Sequence, residues 1–230
     1  MADLVVIVPS RERPQAAQEL AAAFRATVIS DAVLVFAVDA NDESDYELAV
    51  GEPQLAKVER SNTYTMCQAL NVCASLVANS DDPPFAIGFM GDDHRPRTHG
   101  WDKAYVDALR EMGTGIVYGN DLNQGGKLPT QCAMTSDIIR TLGFMAPSSL
   151  THLYVDNFWL SLGLSADCIR YLPDVVVEHM HPAVGKAEWD AGYLRVNNVA
   201  MYRLDEAAFG EYARTRFLED VAKVKALRDG

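Results

Sequence analysis

The chain has 230 residues, of which 49% are hydrophobic and 23% charged, an ordinary balance for one folded domain. A net charge of −12 opposes long-range attraction to nucleic-acid phosphates, and no apolar run approaches the roughly 18 residues of a membrane span. Cys67, Cys73, Cys132 and Cys168 show no CxxC spacing and read as reduced core residues of a cytoplasmic protein, not as a disulfide frame or a zinc site. The start, MADLVVIVPSRERP, has no basic leader and runs directly into a strand, so no signal peptide is expected.

In chain order, LVVIVP (4–9) is an apolar, β-branched run that reads as a strand buried on both faces. Residues 14–26 form a helix opened by proline, and 32–39 a second buried strand ending at Asp39. A weaker strand covers 54–60 and a helix 63–79, with Met66, Leu70, Cys73 and Val77 on one stripe. A third strong strand covers 85–90, an amphipathic helix 100–112 and a further strand 115–120. A loop and short strand follow at 125–134, then helical segments at 135–143 and 150–163. Residues 169–182 read as a strand pair or one bent strand, and 204–228 as an amphipathic C-terminal helix. The alternation of strands and helices in the first half predicts a mostly parallel α/β sheet. Ligands bind such sheets beyond the carboxyl ends of the strands. Ser10-Arg11, Asp39, Arg60 and Asp92-Asp93 all fall there, with Arg13, Arg95 and Arg97 in neighbouring segments.

Three groupings could carry chemistry. Adjacent carboxylates such as Asp92 and Asp93 repel unless a cation is near. With His94 they read either as a solvated turn or as a site for Mg²⁺ or Mn²⁺. In VVVEHMHP, His179 and His181 project to one side of an extended segment. They form either a pair of metal ligands or one packed and one exposed histidine. In YVDNFW, Asp156 interrupts an apolar helical pattern. It is either an exposed helix start or a partly buried general base. DANDESDYE lacks the glycine of a calcium loop, and neither GxGxxG nor GxxxxGK[ST] occurs.

Taken in order, these segments resemble glycosyltransferases of the GT-A fold, in particular the small, family-two-like enzymes found in bacteria and bacteriophages. VVIVPSRERP is similar to their first strand and donor loop, VFAVDAND to the second strand, and ERSNTYTMCQALNVCA to the donor-side helix with its asparagine, here Asn71. FMGDDHRPRTHGWD resembles the metal-binding DxD region, LYVDNFW the segment of the catalytic carboxylate, and VVVEHMHPAVGK the late strand with the metal-site histidine. The likeness spans roughly residues 4–190. It implies a GT-A-like Rossmann-type sandwich, a mostly parallel mixed sheet flanked by helices with a C-terminal helix. It also implies one domain over 1–230, with a nucleotide-sugar half at 1–120, an acceptor half at 121–203 and the closing helix at 204–230.

The resemblance further implies transfer of a sugar from a nucleotide-diphosphate donor to a hydroxyl of a glycan, protein or modified nucleobase. Asp93 with His179 or His181 would hold Mn²⁺ or Mg²⁺, and Asp92 would hold the ribose or the metal. Pro9, Ser10 and Arg11 would wall the nucleotide beside Asp39, Arg11 and Arg60 would bind the nucleotide or its phosphates, and Asn71 would sit on the donor side. Asp156 would take the acceptor proton in an inverting displacement, with retention left open. The chain departs from the family in reading Gly91-Asp92-Asp93 instead of Asp-x-Asp, and Val-Asp-Asn instead of Glu-Asp at 155–157. Three other readings remain at this stage: a sugar-1-phosphate nucleotidyltransferase, which should carry a glycine-rich first loop; a non-catalytic nucleotide-sugar-binding module; and a metal-dependent hydrolase built on HxH.

Overall fold

The computed structural model describes residues 2–39, 41–44, 46, 54–58 and 65–230, with the backbone alone for 54–58. Arg60 lies outside the described residues. Eight strands form one sheet: β1 (Leu4–Ser10), β2 (Ala32–Asp39), β3 (Gln54–Val58), β4 (Ala86–Phe89), β5 (His94–Pro96), β6 (Ile116–Asn120), β7 (Cys132–Thr135) and β8 (Ile169–His179). Their spatial order is β3-β2-β1-β4-β7-β6-β8-β5. β1 is flanked by parallel β2 and β4, β7 runs antiparallel between β4 and β6, and β8 is parallel to β6. This is the mixed, mostly parallel α/β sheet expected.

The apolar runs are continuous because helices cover both faces of the sheet. Val5 and Ile7 of β1 point into one core layer, with side chains of α2 (Met66–Ala78), α4 (Ser136–Leu142), α5 (Val155–Ser165) and α8 (Phe217–Asp229). Leu4, Val6 and Val8 point into the other, with α1 (Pro14–Thr27) and α3 (Trp101–Met112). Proline opens α1, and the Thr65 side chain caps α2 by accepting from the Gln68 amide.

Four expectations change. The strand expected to run to residue 90 ends at Phe89, and the chain turns to make the short strand β5 against the end of β8. The helix expected over 150–163 begins only at Val155. The preceding amides of Thr151, His152 and Leu153 are taken by the carboxylate of Asp205 instead of by helical carbonyls. Residues 169–179 form a single strand whose register against β6 shifts at Gly119/Asn120, and the chain leaves it before His181. The tail is several helices: α6 (Ala191–Val196), α7 (Val199–Thr215) and α8, with Arg216 in a non-helical conformation (φ −126°, ψ −32°) between the last two. The break lets α8 pack on α4 and α5, and Tyr212 donates across it to Asp220 at 2.8 Å.

Candidate active site

Parallel pairing of β1 with β4 brings Ser10 beside the turn at 91–93, and this turn separates the two adjacent carboxylates. Asp92 faces β1. It accepts from Ser10 Oγ (2.7 Å) and pairs with Arg13 Nη1 (2.8 Å). Asp93 faces the late strand. Its Oδ2 lies 3.1 Å from His179 Nε2 and accepts from the Tyr193 hydroxyl (2.7 Å), while its Oδ1 lies 3.3 Å from His94 Nδ1. Antiparallel pairing of β5 with β8 sets His94 opposite His179, and their rings stack with centroids 4.4 Å apart. Each carboxylate therefore has a cationic or protonatable partner of its own, so the like charges are tolerated within the protein itself.

Burial raises the pKa of Asp92 to about 6, against the opposing pull of Arg13 and with a further push from Asp93. Burial acts in the same upward direction on Asp93, but His179 and His94 outweigh it and hold that carboxyl well below its usual value. Burial would depress His179, yet the charge of Asp93 raises it. His94 is lowered, by burial and then by His179.

Asp93, His94 and His179 have candidate ligand atoms within 4.8 Å of one another. His179 Nδ1 and His94 Nε2 are buried without a hydrogen-bond partner, and His94 Nδ1 accepts from the Gly91 amide (3.0 Å). One carboxylate and two imidazoles gathered this closely are a donor set that fits a divalent cation. The turn also requires glycine: a Cβ on Gly91 would sit 2.5 Å from Asp93 Oδ1. His94 joins this group, which the sequence left to His179 or His181. His181 lies past the strand end, where its Nδ1 accepts from the Ala183 amide, although its ring still packs 5.1 Å from that of His179.

A cleft of about 690 Å³ opens over this floor, a size that holds a small-molecule ligand. Pro9, Ser10, Arg11, Asp92, Asp93, His179, His181 and Asp156 all line it. Asp39 is fully buried next to the cleft and accepts from Arg11 Nη1 (3.0 Å). Asp156 occupies the first turn of α5, where burial raises its pKa, the Asn157 amide opposes that rise, and the neighbouring His179 opposes it further. Asn71 does not line the cleft: its side chain donates to the Ala146 carbonyl and accepts from the Met145 and Ala146 amides, fixing a loop. Arg95 is spent on Glu19 (2.6 Å) and Arg97 on Glu178 (2.9 Å).

The sequence reading missed Tyr193, which also lies under the Arg13 guanidinium at 4.4 Å. It missed Asp121, whose carboxylate accepts from three successive amides at 123–125 and shapes the loop above the cleft. It missed Asp205 as well. No local pattern marks these residues, because each acts through partners brought near by the fold.

The architecture is a GT-A, Rossmann-like α/β fold. No protein-family model matches the chain, and no curated protein does. Among solved structures, it is similar to the mannosyltransferase PcManGT from Pyrobaculum calidifontis in complex with GDP-Man and Mn²⁺, with 13% identity over 96% of this chain and 77% of that one (TM-score 0.60). It is also similar to glucosyl-3-phosphoglycerate synthase from Mycobacterium tuberculosis in complex with Mn²⁺, UDP and glucosyl-3-phosphoglycerate, with 14% identity over 93% and 80% (TM-score 0.62). A third is S. aureus TarS 1–349 in complex with UDP, with 12% identity over 77% of this chain (TM-score 0.57), of which the present chain spans 59%. Among the described residues, no helix is long and apolar enough to cross a membrane.

Proposed function

We propose that this protein is a metal-dependent glycosyltransferase that moves a sugar from a nucleotide-diphosphate donor to an acceptor hydroxyl with inversion. The observation that carries this reading is the Asp93–His179 pair on the floor of a cleft that Asp156 also lines, within a fold shared with proteins solved with UDP or GDP-Man. Asp93 and His179, with His94 beside them, would hold the cation, and the mixed carboxylate–imidazole set favours Mn²⁺ over Mg²⁺. When bound, the cation supplies positive charge to the departing diphosphate.

The rest falls to side chains of the chain. Arg13, held between Asp92 and Asp190, would donate to phosphate oxygens from the donor side. Arg11, braced by Asp39, would bind the nucleotide beside Pro9 and Ser10. Tyr193, through its hydroxyl, keeps the Asp93 carboxylate oriented. Asp156 would accept the proton of the acceptor hydroxyl as that oxygen attacks the anomeric carbon. The upward shift that burial gives Asp156 makes it a stronger base than an exposed aspartate.

The test is release of nucleoside diphosphate from a panel of UDP- and GDP-sugars in Mn²⁺. Release that stops in EDTA supports the proposal. Full release in EDTA removes the metal from it, and no release from any donor in the panel removes the enzyme.

A further inference from the structure

Tyr154 is a bulky aromatic residue with left-handed backbone (φ 64°, ψ 6°), a conformation that costs of order 1–3 kcal/mol and persists only where the surroundings over-determine it. Here they do. The three preceding amides are clamped by Asp205 at 2.7–2.8 Å, and Asp205 is fully buried. The Tyr154 ring stacks on Phe209 of α7, with centroids 5.8 Å apart and planes 25° apart. The fold thus fixes an aromatic ring on the cleft wall two residues before Asp156. Tyr202, also from α7, lines the same cleft and is 47% exposed.

The polar groups of the cleft divide sharply. Its lining cations among the described residues are Arg11, Arg13 and Arg195. Each is ion-paired, with Asp39 (3.0 Å), Asp92 (2.8 Å) and Glu12 (3.3 Å) respectively. The remaining lining carboxylates, Asp93 and Asp156, add negative charge to these pairs. A divalent cation and a diphosphate would leave that balance unchanged, so among the described residues no arginine or lysine of the lining is left unpaired for a second phosphate. The idle groups are neutral. Asn123, Gln124, Asn157 and Asn197 line the cleft, and among the described residues their side chains have no hydrogen-bond partner, nor do the Tyr154 and Tyr202 hydroxyls.

We propose that the wall formed by Tyr154 and Tyr202 with these amides is an acceptor subsite for a neutral, unphosphorylated saccharide. Aromatic faces pack against the C–H face of a sugar ring, and amides and phenols satisfy its hydroxyls in both directions. Among the described residues, the lining holds no unpaired arginine or lysine to meet the charge of a phosphorylated acceptor, a nucleic acid or an acidic polymer. The inference rests on the glycosyltransferase reading, because it gives that reaction its acceptor.

The experiment is saturation-transfer NMR on the whole chain with diamagnetic Mg²⁺ and UDP or GDP. The probes are a panel of neutral methyl and p-nitrophenyl glycosides, the corresponding sugar phosphates, and a single-stranded oligonucleotide. Wild type should transfer saturation to the ring protons of at least one neutral glycoside. Its affinity should fall about tenfold in Tyr154→Asn, which tolerates the left-handed backbone, and in Tyr202→Ala on the exposed helix face. Transfer confined to the phosphorylated probes or the oligonucleotide overturns the proposal. So does equal affinity in both variants, or no neutral glycoside bound by a protein whose Tm still rises with nucleotide. Absence of any nucleotide-dependent rise in Tm counts against the glycosyltransferase reading itself and is scored separately.

Discussion

Replacing Asp205 with asparagine tests how the acceptor wall is held. The Asp205 carboxylate is inaccessible to solvent. It accepts from the amides of Thr151 (2.8 Å), His152 (2.8 Å) and Leu153 (2.7 Å), using Oδ1 once and Oδ2 twice. Asparagine keeps the shape and one acceptor but turns an NH₂ group toward backbone N–H donors. At least one charge-assisted bond is lost and at least one amide is left facing a donor, a combined cost of about 2–4 kcal/mol. For a chain of this size each kcal/mol lowers Tm by about 2–4 °C, so Asp205→Asn should melt about 4–16 °C lower. Thermal unfolding followed by circular dichroism measures this directly. A Tm within about 1 °C of wild type would refute the claim that this carboxylate clamps the loop and sustains the Tyr154 conformation.

Asp156→Asn should lower sugar transfer by about 10²–10⁴ while leaving nucleotide binding intact, and transfer at the wild-type rate would assign the base elsewhere. Because burial raises the Asp156 pKa above its usual 3.8, its charge costs stability above the raised value and nothing below the usual one. The same variant should therefore melt higher than wild type at about pH 8 and alike at about pH 3; identical melting at both would contradict that burial. Asn71→Ala removes three hydrogen bonds to residues 145–146 and should cost about 2–4 kcal/mol with UDP or GDP affinity unchanged, whereas selective loss of nucleotide affinity would return Asn71 to the donor site. Gly91→Ala forces the Asp93 carboxylate aside and should weaken Mn²⁺ binding, read by calorimetry, about 10- to 100-fold; wild-type affinity would place the cation elsewhere.

Much of the floor of the site was legible in the sequence because parallel strands announce themselves as apolar runs and end where ligands bind. LVVIVP and FAIGFM locate β1 and β4, and the polar residues just past them, Ser10 and Asp92, do meet. What failed to show were features with no local signature. β5 is three residues long, too short for a periodic pattern, yet it is the strand that stacks His94 on His179. The period-two rule puts His179 and His181 on one side of an extended segment, but β8 ends at His179 and the rule ends with it. The C-terminal apolar stripe reads as one helix because the break at Arg216 leaves the helical spacing of its flanks intact. Tyr193 and Asp205 reach Asp93 and the 151–153 amides across 100 and about 50 residues of chain, separations that only the folded topology closes.

A cation held at Asp93 beside the nucleotide is what the proposed reaction most needs. Thermal shift with UDP and with GDP, each with and without Mn²⁺, in wild type and Asp93→Asn, tests it. At a ligand concentration about 100 times Kd the folded state gains about 2.7 kcal/mol, or about 5–11 °C in a chain of this size. Wild type should show that rise with at least one of the two nucleotides in Mn²⁺ and lose most of it in EDTA, and Asp93→Asn should show little in either. An equal rise in EDTA and in Asp93→Asn, or no rise with either nucleotide, would contradict the account.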